Sequence, residues 1–340
     1  MADLFESGVT YGEKSWHGKE NNLAADDLRR YSVDGTMAAA GMEWTVAKLP
    51  LAIAKPRPAI VGPRGEIVRP ADSHSPELAG EVAAGAYGVF RTDRWECLAT
   101  VGEDYQELQN RQIFQQFQPF LDCKELSFES AGSLAGGKKV YVQARLNVEA
   151  ADIGGGDRVD PMLLIASSHD GSLATRVGFT PIRVVCANTL AAAVAGGGLL
   201  KIKHTRGQGV AMEAVMDTVD LARRQFVANC DQYRKLIRCG ISRDDLARYV
   251  KQVLGMDESK RREEFSTRTL NQYDRICQLA LRGKGQSPGE LTLWSAYNGV
   301  TEWTSHYRQT DREARKASVW FGASATTNSK ALDLALSIAS

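Results

Sequence analysis

Residues 167–190 read SSHDGSLATRVGFTPIRVVCANTL, and this one stretch gathers His169, Asp170, Arg176, Arg183, Cys186 and Asn188. Two chemistries are open to such a set. A thiolate mechanism would take Cys186 as nucleophile, with His169 as its base and Asp170 to orient that base. A polyanion-binding role would use the two arginines and leave the other residues to shape the chain. Asp170-Gly171 is a strong tight-turn signal, because glycine accepts the positive φ such turns need; the turn therefore accounts for the aspartate without catalysis. Cys186 lies between Val185 and Ala187, the surroundings of a core thiol. The stretch reads first as a hairpin, 162–166 against 173–185, that feeds Asn188 and Thr189 into the start of a helix.

Metal and phosphate-loop chemistry find less support. The five histidines, His17, His74, His169, His204 and His306, form no HxH or HExxH pattern, and Glu302 stands four residues from only one histidine. Neither GxxxxGK[ST] nor a strand-associated GxGxxG occurs, and Gly154-Gly155-Gly156 falls in a connection. The six cysteines make no CxxC pair, which argues for buried thiols over a zinc site or a disulfide framework. No cofactor and no metal are expected.

Charge points elsewhere. The 340 residues carry a formal net charge of +1, yet its distribution is uneven. Residues 171–212 hold no Asp or Glu while supplying Arg176, Arg183, Lys201, Lys203 and Arg206; residues 130–148 are likewise acid-free and supply Lys138, Lys139 and Arg145. If these stretches share one sheet, their cations make a groove that attracts phosphates. Aromatic rings add stacking surfaces for unpaired bases, with Trp16 and Trp320 the best placed; Trp294, Tyr297 and Val300, and Trp303 with Tyr307, have core-like helical spacing.

The elements that must position these residues follow from periodicity. Strands are expected at 44–53 and 87–98, a helix at 109–121, a hairpin 126–134/138–148 about Ala135-Gly136-Gly137, and a short strand at 199–204. Consecutive hairpins favour an α+β fold, an antiparallel sheet of hairpins backed by helices and followed by a mostly helical C-terminal part. Residues 1–205 form the α+β core, with a Pro-rich excursion at 54–79 that suits a β-ribbon or a loop. Residues 206–340 form a helical region that packs on that core or on a neighbouring subunit, with helices at 209–238, 257–281, 292–307 and 330–338, and a short one capped by Ser242 and Asp245 that stops at Gly255. No apolar run approaches the ~20 residues of a membrane span, and the start MADLFESGVT has neither a basic nor an apolar segment, so a cytoplasmic protein is expected.

Five motifs in order, WHG at 16–18, SSHDGS at 167–172, RVVCANTL at 183–190, LTLWSAYNGVTEWTSHYR at 291–308 and WFG at 320–322, resemble the phage- and plasmid-related proteins that carry domain of unknown function 932. The resemblance implies handling of mobile DNA. The order of elements is also similar, at fold level, to single-strand annealing proteins of recombination, which bind DNA as oligomeric rings. The expected function is thus non-enzymatic single-stranded DNA binding and annealing by a homo-oligomer, carried by Lys138, Lys139, Arg145, Arg176, Arg183, Lys201, Lys203 and Arg206. Two alternatives stand beside it: a metal-dependent nuclease or other DNA-processing enzyme using His169 and Asp170, and a phage-encoded protein that binds and inhibits a host protein.

Overall fold

Alternating apolar residues and glycine-bearing turns give strands near 44–53, 126–134, 138–148 and 162–166 as the periodicity predicts, while the strands Phe5–Tyr11, Asn21–Leu23, Ala151–Gly154 and Asp157–Asp160 are additional to that expectation. The computed structural model describes residues 5–12, 21–57, 59–69, 72–154, 156–179, 182–183, 188–189, 200–202, 212–286, 290–308, 318–319 and 322–340. In chain order the strands are β1 (Phe5–Tyr11), β2 (Asn21–Leu23), β3 (Val46–Arg57), β4 (Ile60–Val61), β5 (Ile67–Arg69), β6 (Asp72–Arg91), β7 (Glu96–Val101) and β8 (Leu126–Leu134). They continue with β9 (Lys139–Leu146), β10 (Ala151–Gly154), β11 (Asp157–Asp160), β12 (Met162–Ser168), β13 (Thr175–Phe179), β14 (Ile182–Arg183), β15 (Asn188–Thr189) and β16 (Leu200–Ile202). The helices are α1 (Val33–Ala40), α2 (Asn110–Gln115), α3 (Gln118–Asp122), α4 (Met212–Arg238), α5 (Arg243–Leu254), α6 (Thr267–Arg282), α7 (Leu293–Glu302) and α8 (Ala323–Ile338).

A seven-stranded sheet, ordered β16-β13-β12-β9-β8-β1-β2, organises the α+β fold. Every neighbouring pair in it is antiparallel except β1 with β2. The β8–β9 hairpin turns through Gly136 and Gly137, both at positive φ; a Cβ at Gly137 would also stand 3.1 Å from the Trp44 ring, so glycine serves both the turn and the packing. On one face Val140, Val142, Ala144 and Leu146 of β9 join the main core, where Phe114 and Phe117 meet Phe128 edge-on at 5.6 Å. On the other face Tyr141, Leu164 and Ala166 pack with Leu134, Leu173 and Val319 in a smaller cluster. The sheet is therefore covered on both sides at its centre, not on one.

Some elements match the sequence expectations and others differ. The Pro-rich excursion is a ribbon: β3 and β6 pair from Val46↔Arg91 out to Arg57↔Asp72, and β4 pairs with β5 beyond them. The strand expected at 87–98 is split by a turn into β6 and β7. The single helix expected at 109–121 is two, α2 and α3, with Pro119 in the first turn of the second; proline has no N–H for a continuous helix and fits only such a first turn. Asn188 and Thr189, expected to lead into a helix, form β15, which pairs with β14 while β14 pairs with β11; the rest of the expected helix lies outside the described residues. A strand partner overrides the capping preference of Asn and Thr. Residues 257–281 do not form one helix; α6 starts at Thr267, after the Ser266 hydroxyl accepts from Thr269 N. The short helix α5 has its expected capping box at Ser242 and Asp245 and ends at Gly255 with φ of 68°. Residues 292–307 are α7 followed by a π turn at Trp303–Tyr307.

The helical part and the sheets share one core. Tyr233 of α4 stacks 5.2 Å from Trp294 of α7, and Trp294 Nε1 donates to Asp157 Oδ2 of β11 at 2.7 Å. Among the described residues no helix is long and apolar enough to cross a membrane. The Trp294→Phe variant keeps the ring packing and removes one donor from a buried carboxylate. Urea unfolding should show a loss of ~1–3 kcal/mol; an unchanged midpoint would mean that this bond does not tie the two parts together.

Candidate nucleic-acid interface and the His169 turn

Strand β12 ends at Ser168, and the turn after it is fixed from within. Asp170 Oδ1 accepts from Ser172 N at 2.9 Å, Gly171 takes a φ of 71°, and the Ser168 hydroxyl bonds both N and O of Leu173 at 2.9 Å. The turn is then tied to its surroundings. His169 N donates to Lys138 O at 2.8 Å, and the Tyr105 hydroxyl donates to Ser168 O at 3.1 Å. Burial, with Asp170 and Glu107 nearby, raises the pKa of Tyr105, so its phenol stays a donor.

His169 itself is 1% exposed. Its Nε2 lies 2.9 Å from Asn110 Oδ1, while Asn110 Nδ2 donates to Met42 O and Trp44 O at 3.2 and 3.1 Å. Those two bonds fix the amide with its oxygen toward the imidazole, which makes Nε2 the protonated nitrogen. Trp44 meets the imidazole edge-on at 5.3 Å, and the Arg91 guanidinium lies 4.2 Å above Trp44, held by Asp93 at 2.7 Å. The set joins the turn after β12, helix α2, the segment leading into β3, and β6. Its partners Trp44, Arg91 and Asn110 carry no sequence signal, being 59 to 125 residues from His169. His169 and Asp170 thus hold structural roles; Cys186 lies outside the described residues, and Asn188 sits on the smaller sheet opposite Arg183. Among the described residues no three His, Cys, Asp or Glu side chains group as metal ligands would.

The predicted cations divide. Lys139, Arg145, Arg176 and Lys201 alternate onto the same face of the seven-stranded sheet as Tyr141, and Tyr141, Ala166, Arg176 and Lys201 form one transverse row through β9, β12, β13 and β16. Lys138 stands at the hairpin end of that face, half-buried like Lys139, Arg145 and Arg176. Arg183 is on the smaller sheet, opposite Val159. Lys203 and Arg206 lie outside the described residues, as do Trp16 and Trp320.

Arg145 has a partner of its own. Its Nη2 meets Asp160 Oδ1 at 2.6 Å, and Arg30 Nη2 meets Glu129 Oε2 at 3.1 Å. Burial raises the pKa of both carboxyls, and the neighbouring arginines only partly offset it. A carboxyl with a raised folded-state value favours the folded chain while protonated; that contribution is lost as pH rises through the raised value.

Two outcomes follow. His169→Ala leaves Asn110 Oδ1 without its donor and opens a cavity, so urea unfolding should lose ~3 kcal/mol; retention of full stability would refute the lock. Arg145→Met removes the counter-charge of Asp160, and the loss of ~2 kcal/mol at pH 7 should shrink near pH 4.5, where Asp160 carries more of its proton. An equal loss at both pH values would exclude that pairing.

Residues 97–330 match the family described as Domain of unknown function (DUF932). That span contains the His169 turn, the smaller sheet and helices α4 to α7, and leaves out the ribbon. Neither a curated protein nor a solved structure is significantly similar to the chain. Because the match covers more than half of its residues, the chain belongs to the DUF932 family.

Proposed function

We propose that this protein binds single-stranded DNA without sequence preference and anneals complementary strands, as a homo-oligomer acting on phage and plasmid DNA rather than as an enzyme. One observation carries the reading: strand register places Lys139, Arg145, Arg176 and Lys201 on a single face of the large sheet, with Lys138 at its rim. Two acid-free stretches, separated in the chain by residues 149–170, thus meet on one surface. A polyphosphate backbone is the partner such a face attracts, and contacts to phosphate alone carry no base readout. Bases left unbound remain free to pair, which is what annealing requires. Arg145 contributes less than its charge alone would, because Asp160 already neutralises it.

Fluorescence anisotropy with a labelled polythymidine strand tests the reading. Affinity should fall with salt at a log–log slope of about −3, since each of ~4 phosphates neutralised on a single strand contributes roughly −0.7. Replacing Arg176 and Lys201 by Glu should flatten the slope. The absence of binding at low salt refutes the proposal, and binding without faster strand pairing refutes annealing.

A further inference from the structure

The sequence places Tyr307 with the core-like aromatics, but its side chain is 46% exposed. The cause is local. Helix α7 passes into the π turn, where Arg308 N donates to Trp303 O at 2.9 Å, one residue further back than in an α-helix. Such a turn inserts one extra residue and re-aims everything after it; π turns are uncommon and recur at functional sites. Here it leaves Trp303 buried and turns the Tyr307 ring outward.

One arginine covers that ring, a second follows it in sequence, and a third lies on the same helix face as the first. Arg275 of α6 lies 4.1 Å over the Tyr307 centroid, and Arg268 stands seven residues earlier, two turns along the same helix face. Arg308 follows the ring in sequence and covers Trp303 at 5.1 Å. Their hydrogen bonds go to neutral groups: Arg308 Nη1 donates to Thr327 Oγ1 at 2.8 Å and Ala323 O at 3.2 Å, and Arg275 Nη1 to Gln278 Oε1 at 2.9 Å. Among the described residues no carboxylate pairs with any of the three, and Asp274, the acid on this part of α6, is held by Arg262. Arg268 and Arg308 are close enough that repulsion adds to burial in lowering the pKa of Arg308.

Like charges gathered with no carboxylate partner among the described residues, beside an exposed ring backed by a cation, match a strand that offers phosphates and an unpaired base together. We infer that Arg268, Arg275, Arg308 and Tyr307 form a second contact for single-stranded nucleic acid, in which the guanidiniums take phosphates and Tyr307 stacks on a base. The inference rests on the single-strand reading above and adds to it a site that recognises bases by their faces. Duplex DNA, whose bases are stacked on one another, offers no such face. An acidic protein segment would satisfy the arginines and leave the ring unused.

The test compares variants of the full chain on a labelled polythymidine strand and on an abasic strand of equal length. Tyr307→Ala should weaken binding to polythymidine by about 5- to 100-fold and leave the abasic strand unaffected, while Tyr307→Phe binds as the parent does. Arg268→Glu, at an exposed position, should weaken both strands and reduce the salt dependence. If Tyr307→Ala and Arg268→Glu bind like the parent while Arg176→Glu is impaired, this second contact is refuted and the sheet face stands. If Arg268→Glu weakens binding but Tyr307→Ala does not, stacking is refuted. If the parent binds neither strand at low salt, both readings fall together.

Discussion

Strands β9 and β12 have almost no side that faces water. All seven residues of β12 are buried, as are six of the eight in β9. An unpaired charge in such a place costs far more than a surface ion pair returns, so the central strands admit only apolar residues and polar ones with a partner. Ser167 meets Thr175 at 3.0 Å, and Ser130 donates to Gln143 at 3.1 Å. Cations are consequently pushed toward the margins: Lys139 opens β9, Arg145 stands next to its end, Arg176 lies on β13 and Lys201 on the edge strand β16. A positive surface on this sheet has to be a rim around an apolar centre. That geometry suits a flexible phosphate chain running across strand ends better than a flat strip.

How much of this was legible in the sequence depends on the range of the interaction concerned. Local rules placed the β8–β9 hairpin, the Asp170-Gly171 turn, the Ser242 cap and the Gly255 stop, because each is decided by backbone angles and neighbours a few residues away. They failed where a partner from elsewhere decides the outcome. Asn188 and Thr189 suit a helix start, and a strand neighbour makes them β15. The role of His169 was hidden for the same reason, since its amide partner Asn110 belongs to a helix 59 residues upstream.

The basic surfaces show the same division. Acid-free stretches are visible to a window moving along the chain, and register then carried four of those cations to one face. The arginines about Tyr307 are invisible to such a window, because Asp274 and Glu302 dilute the charge of their segments. The fold answers both acids elsewhere: Asp274 pairs with Arg262, and Glu302 is buried and accepts from Lys284 N. Net charge by segment therefore understates what a helical surface can present.

The position of β1 sets an order of events in time. It is the first strand of the chain, yet it lies between β2 and β8, with Ser7 opposite Ser133. As the chain is made, β1 has no antiparallel neighbour until more than a hundred further residues have emerged. The same holds for Asp157, which waits for Trp294. Contacts of such long sequence separation pay their loop-closure entropy before any stability is returned. The sheet that would carry the nucleic-acid surface is thus completed late in folding, and its first strand passes that interval with the edge toward β8 unpaired.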